Sequence, residues 1–158
     1  MQSVYLILHN VRSTHNVGSI LRTADAAGVS KVYLCGYTPA PVDRFGRKRA
    51  DIAKVALGAE ESVAWEHVED VHEVIQTLKE KGVFIVAVEQ DASSVSYTEP
   101  YPHKDVALIV GEETKGIEPE LLELCNRIVE IPMAGKKESL NVAVATGIVL
   151  FRLVEQPV

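Results

Sequence analysis

Asn10, Asn16, Arg22, Glu113, Ser139 and Asn141 are the residues of this 158-residue chain whose types and settings suit chemistry. They lie in or beside three polar loops, His9–Gly18, Gly111–Gly116 and Pro132–Asn141, each of which follows an apolar run that reads as a strand. Open α/β sheets bind ligands outside the carboxyl ends of their strands, so such loops belong to one site. The set offers three amides, a guanidinium, a carboxylate and a hydroxyl, which by spacing alone make the ligand site of an α/β protein. Its glycines bring backbone amides close to a bound molecule. Several chemistries are disfavoured. No loop is a Walker A, and no GxGxxG follows the first strand. Ser139 lacks the GxSxG elbow of a hydrolase nucleophile. Glu112 and Glu113 are adjacent, so in an extended segment only one of them would enter the site. Cys35 and Cys125 have no CxxC spacing and the five histidines form no ligand-like cluster, so no metal is expected.

The positioning elements follow from pattern. Val4–Leu8, Lys31–Cys35, Val83–Val88 and Asp105–Val110 are short apolar runs of the kind buried in a parallel sheet. Val63–Val68 and Arg127–Ile131 read as further strands, with Val95–Tyr97 pairing briefly. Asn16–Gly28 predicts a helix with Val17, Leu21, Ala24 and Ala27 inward and Gly28 as its stop. Gly18, Arg22 and Asp25 occupy its opposite face. An opening Asn and Gly would let a ligand approach the backbone there, while Arg22 taken alone is a surface residue paired with Asp25. Glu69–Lys81 is amphipathic, Asp51–Leu57 and Pro119–Leu124 are short helices, and Pro119 sits at a first helical position. Ser139 is expected to cap a final helix that is apolar on every side from Leu140 to Phe151, apart from Asn141 and Thr146. Such a helix is a core element or an oligomer interface. Strands alternate with helices throughout, so residues 1–158 read as a single α/β domain around a mostly parallel sheet.

Composition is ordinary, with 47% hydrophobic and 24% charged residues. Met1–Asn10 carries no signal peptide and no apolar run spans a bilayer, so a reduced, cytoplasmic protein is expected. A net charge of −6 argues against broad nonspecific nucleic-acid binding. Yet Arg44, Arg47, Lys48, Arg49 and Lys54 cluster against only Asp43 and Asp51. By itself this run is either a solvated loop or a phosphate-contacting arm.

NVRSTHNVGSILRTADAAG, GEETKG and IPMAGKKESLNVAVA occur in that order and together frame nearly the whole chain. They resemble the three signature motifs of the SpoU (TrmH-like) family of S-adenosylmethionine-dependent RNA ribose methyltransferases. The resemblance implies a SPOUT fold, whose C-terminal strand, loop and helix thread through a preceding loop as a trefoil knot, and a homodimer with its site at the subunit interface. Arg22 matches the motif's catalytic arginine and Asn16 its orienting asparagine. Glu113 matches the glutamate of the second motif, and Ser139 and Asn141 the polar pair of the third. S-adenosylmethionine would lie against mainly main-chain groups near Val88, Glu89, Gly111, Ile131, Met133 and Leu140. Without a separate RNA-binding domain, RNA (tRNA or rRNA) would be gripped by Arg44–Lys54, Lys136, Lys137 and Arg12.

The implied reaction moves a methyl group from a sulfonium to a ribose 2′-hydroxyl, which requires positioning and removal of a proton. Deprotonating a guanidinium at pH 7 costs at least ~7 kcal/mol. Arg22 is therefore expected to hold a phosphate and stabilise the developing alkoxide rather than act as the base. Two other readings stay open: a SPOUT module that binds RNA and cofactor without turnover, and an unrelated nucleotide-binding α/β enzyme using Glu113 as a working carboxylate.

Overall fold

The computed structural model describes residues 2–155. In chain order the elements are β1 (Val4–His9), α1 (Thr14–Ala27), β2 (Lys31–Cys35), α2 (Ala50–Ala56), α3 (Ala59–Ser62), β3 (Trp65–Val68) and α4 (Val71–Glu80). They continue with β4 (Phe84–Val88), β5 (Val95–Ser96), β6 (Val106–Val110), α5 (Pro119–Leu124), β7 (Arg127–Glu130) and α6 (Val142–Val154). The seven strands form one sheet in the order β3-β2-β1-β6-β4-β7-β5. Every pairing is parallel, with Leu6 opposite both Val32 and Leu108, and Val88 opposite Val129.

Alternation along the strands divides the core into two layers. Leu6, Leu8, Leu34, Val86 and Leu108 face α1, α2 and α6. Ile7, Cys35, Ile85, Ala87 and Ile109 face α4 and α5, which contribute Val74, Ile75, Leu78 and Leu121. Helices on both faces explain why β1, β4 and β6 are continuous apolar runs.

Two helix starts differ from expectation. α1 begins two residues before Asn16, because Ser13 caps it by accepting from the Asn16 N–H at 3.1 Å. Gly18 consequently lies inside the helix and is buried, and it serves packing rather than a ligand. A Cβ there would stand 2.8 Å from Val55 Cβ and 2.9 Å from the Ile52 carbonyl oxygen, so α2 crosses α1 where only glycine fits. α6 begins at Val142, not directly after Ser139. Its cap is Asn141, whose Oδ1 accepts from the Ala143 and Val144 N–H groups at 2.9 and 3.2 Å. Ser139 stays exposed in the preceding loop.

α6 is also not enclosed all round. Thr146, Val149, Leu150 and Leu153 are buried against the sheet and α1, while Val144 is 51% exposed. Gly147 brings α6 against α1, where its Cβ position lies 3.6 Å from Thr23 Cγ2. Among the described residues no helix is long and apolar enough to cross a membrane.

Candidate active site

The carboxyl ends of β4, β6 and β7 sit side by side in the sheet, and the loops that leave them surround a cavity of about 520 Å³. That is the size of a small-molecule site. Val88, Glu89, Gly111, Ile131, Met133 and Leu140 all line it, as do Glu113 and Ser139. Apolar groups from Ile117, Leu122 and Val142 complete a surface on which a flat ring could lie.

The loop after β6 makes this wall possible. It is a tight turn, with Glu112 and Gly116 bridged and Gly116 at a φ of 68°. A Cβ on Gly111 would stand 2.6 Å from the Gly116 carbonyl oxygen, and one on Gly116 would meet the Glu89 carboxylate. Gly111 is thus required by close backbone approach, and Gly116 by its left-handed φ. Glu89 fastens the far end, its Oε2 accepting from the Ile117 N–H at 2.9 Å. Gln90 ties the loop after β4 to the segment before α6 by donating to the Glu138 carbonyl at 2.7 Å. The motifs point to Glu89 only through its backbone; the side-chain role depends on two strands adjacent in space.

Because the turn is tight rather than extended, Glu112 and Glu113 do not diverge. Both lie on the cavity wall and both reach the loop between β1 and α1. Glu112 lies 3.5 Å from the Arg12 guanidinium. Glu113 accepts from the backbone N–H groups of Arg12 and Ser13 at 3.3 and 3.2 Å, and from Asn16 Nδ2 at 3.4 Å. Burial disfavours its charge, but hydrogen bonds from its own N–H, Ser13, Arg12 and Asn16 outweigh that and hold its pKa below the ordinary glutamate value. Asn16 Oδ1 in turn accepts from Asn141 Nδ2 at 3.1 Å. Residues 97 and 125 positions apart from Asn16 are thereby joined in one line, Glu113–Asn16–Asn141.

Asn141 and Asn16 also open a shallow groove between α1 and α6, lined by His15, Ser19, Val144 and Ile148. Arg22 lies on the exposed face of α1, outside both cavity and groove, and among the described residues it makes no ion pair. Asp25, its expected partner, accepts instead from the Ser62 hydroxyl at 2.8 Å. Asn10 takes a left-handed φ of 59° and accepts from the Tyr37 N–H at 2.8 Å, so it shapes a turn instead of facing the cavity.

The basic segment is largely matched by its own acids. Arg47 pairs with Asp43 at 3.0 Å, Lys48 with Glu61 at 3.0 Å and Glu60 at 3.4 Å, and Arg49 with Asp51 at 3.4 Å. Arg44, Lys54, Lys136 and Lys137 have no such partner among the described residues, and Lys136 and Lys137 are exposed in the loop between β7 and α6. Among the described residues no group of three or more His, Cys, Asp or Glu side chains is placed to hold a metal ion.

Residues 3–151 match the SpoU rRNA Methylase family. The chain is 40% identical over 151 residues to the 23S rRNA (guanosine-2'-O-)-methyltransferase RlmB of Salmonella typhi, covering 96% of this chain and 59% of that protein. With the Escherichia coli protein of the same name it shares 39% identity over 155 residues, 98% of this chain and 61% of the other. It therefore spans about three-fifths of the length of these relatives. An AdoMet-bound rRNA methyltransferase from Sinorhizobium meliloti superposes with a TM-score of 0.86 at 34% identity, over 95% of this chain and 55% of that one. The A. aeolicus TrmH/SpoU tRNA modifying enzyme superposes at 0.85 and 31%, over 99% and 76%.

Proposed function

Because the chain belongs to the SpoU rRNA methylase family, we propose that it is an S-adenosylmethionine-dependent methyltransferase acting on a ribose 2′-hydroxyl of tRNA or rRNA. The observation that carries this is the cavity at the ends of β4, β6 and β7, bordered by the Glu113–Asn16–Asn141 line. Relatives are named as rRNA guanosine-2'-O-methyltransferases, and one similar structure holds AdoMet.

The cavity residues suit the donor. Val88, Ile131, Met133 and Leu140 offer apolar contact for its adenine, and Gly111 and Gly116 give backbone access. When bound, S-adenosylmethionine supplies an electrophilic methyl group. Glu113, already accepting several N–H bonds, is a poor general base and serves to fix the first loop and Asn16. That favours the methyltransferase over an enzyme using Glu113 as a working carboxylate. Asn16 and Asn141 orient the acceptor, and Ser139 lines the cavity. Arg22 holds the phosphate next to the target ribose and stabilises the developing alkoxide.

A homodimer belongs to this reading. The open groove between α1 and α6, with Val144 exposed, suits a second copy, and burying that groove brings a subunit surface beside the otherwise remote Arg22. The C-terminal strand, loop and helix form the trefoil knot, a reading supported by the Gln90–Glu138 tie. RNA phosphates meet Arg44, Lys54, Lys136 and Lys137, with Arg12, Arg47, Lys48 and Arg49 contributing less because they are paired.

Incubating the protein with labelled S-adenosylmethionine and total RNA tests the reaction, and mapping 2′-O-methyl sites names the nucleotide. Donor binding without transfer to any RNA would leave the non-catalytic module instead. An Arg22→Lys protein that kept most of its kcat would remove any need for a bidentate guanidinium.

A further inference from the structure

Among the described aromatic side chains, Tyr37 and Phe45 alone are mainly exposed, at 75% and 67%. A single exposed ring is unremarkable in a soluble protein. These two share further features. Each ring has a guanidinium against it: Arg12 Cζ lies 5.4 Å from the Tyr37 centroid, and Arg44 and Arg47 lie 4.8 and 5.0 Å from that of Phe45.

Each is also carried on a pinned backbone. The turn bearing Tyr37 is held by Asn10 Oδ1, which accepts the Tyr37 N–H, and by buried Thr38, whose hydroxyl donates to the Leu8 carbonyl at 2.9 Å and accepts from Val11 N–H at 3.0 Å. Phe45 stands on a turn between the paired residues Val42 and Lys48. There Asp43 Oδ1 accepts the Phe45 and Arg47 N–H groups at 2.8 and 3.0 Å. A ring with two χ angles on a fixed backbone loses little entropy when it is covered.

The Tyr37 platform is joined to the site. Its stacked Arg12 lies 3.5 Å from Glu112 and donates its backbone N–H to Glu113. Because the charges of Arg47, Lys48 and Arg49 are matched within the chain, phosphate attraction at this segment is weaker than its composition suggests. What the surface offers is π-faces edged by cations. Unpaired nucleobases stack on such faces, whereas bases inside a duplex cannot reach them.

We propose that Tyr37 and Phe45 are base-stacking posts that take unpaired nucleobases of the RNA substrate, so that the enzyme grips a single-stranded segment beside its site. This rests on the RNA methyltransferase reading. On RNA entry Arg44, which has no carboxylate partner among the described residues, is free to move from the Phe45 ring to a phosphate, while Asp43 keeps Arg47 in place.

The test measures fluorescence anisotropy of a labelled twelve-nucleotide unstructured RNA, free or annealed to its complement, with the full chain and its Tyr37→Leu, Phe45→Leu and Phe45→Trp variants. The parent is expected to prefer the single strand. Each leucine change should weaken that binding at least about fivefold. Phe45→Trp should retain binding and show quenched indole fluorescence with the single strand. Unchanged melting temperature and donor affinity would confirm that the variants are folded. Leucine variants within twofold of a parent that does bind and methylate RNA would overturn the stacking role alone. So would equal weakening on single strand and duplex. A parent that neither binds nor methylates RNA would overturn the functional reading and this inference together.

Discussion

The cavity at the strand ends and the basic segment after β2 are both dense in polar groups, but they are organised in opposite ways. In the cavity, Glu89, Glu113 and Asn16 accept hydrogen bonds across long stretches of chain, from Ile117, Ser13 and Asn141. Those bonds fix the walls and leave the interior open. Along the basic segment, Arg47, Lys48 and Arg49 are matched to nearby acids, which consumes charge. Exposed pairs of this kind add little to stability, because water and salt screen them. A cation counts toward a ligand only when its own chain leaves it unmatched.

That contrast fails at once if unmatched cations prove dispensable. Replacing Arg22, which makes no ion pair among the described residues, by alanine should lower kcat about 10²- to 10³-fold with donor affinity unchanged, as single-turnover assays and calorimetry would report. Next in size, Gly111→Ala places a Cβ 2.6 Å from the Gly116 carbonyl oxygen and attacks the cavity directly. Donor affinity should drop more than about tenfold, with a stability loss of about 1–3 kcal/mol by thermal melting. Asn141→Ala removes two capping bonds and the link to Asn16, and should cost about 1 kcal/mol beyond its effect on turnover.

The carboxylate at the cavity wall gives a sharper version of the comparison. Because the folded pKa of Glu113 is lowered, its stabilisation is fully present above the ordinary glutamate value and is lost as pH falls through the folded pKa. A Glu113→Gln protein lacks that contribution, so its melting temperature should lie below the parent's at neutral pH and the gap should close on acidification. The smallest effect belongs to the matched cations. Neutralising Arg47 and Lys48 should change the salt slope of single-stranded RNA affinity by less than the ~0.7 expected per free phosphate contact. A larger change would mean that RNA breaks the pairs to Asp43 and Glu61, which would dissolve the distinction.

Much of the frame was readable from the chain. β1, β2, β4 and β6 were legible because strands covered on both faces are continuous apolar runs, and Gly28 marked the end of α1 because that position needs a left-handed φ of 73°. Helix starts were harder. Ser139 and Asn141 are both good caps, and the choice between them fell to Asn141, whose amide can bond two helical N–H groups and Asn16 at once. By its pattern Gly18 reads as a ligand approach, but α2 crosses α1 at that point. Tyr37 and Phe45 carried no signal at all, since exposure of a ring is not written in local pattern.

The sequence by itself determined the layered parallel sheet, the three polar loops and, through their motifs, the family and the residues around the cavity. These depend on periodicity and on short-range spacing, which a linear string contains. The joining of Glu113 to Asn16 and Asn141, the use of Glu89 to close a loop, the pairing of the basic segment and the isolation of Arg22 were decided only by tertiary structure. Each depends on which distant groups the fold makes neighbours, and hydrogen bonds and ion pairs act only over a few ångströms.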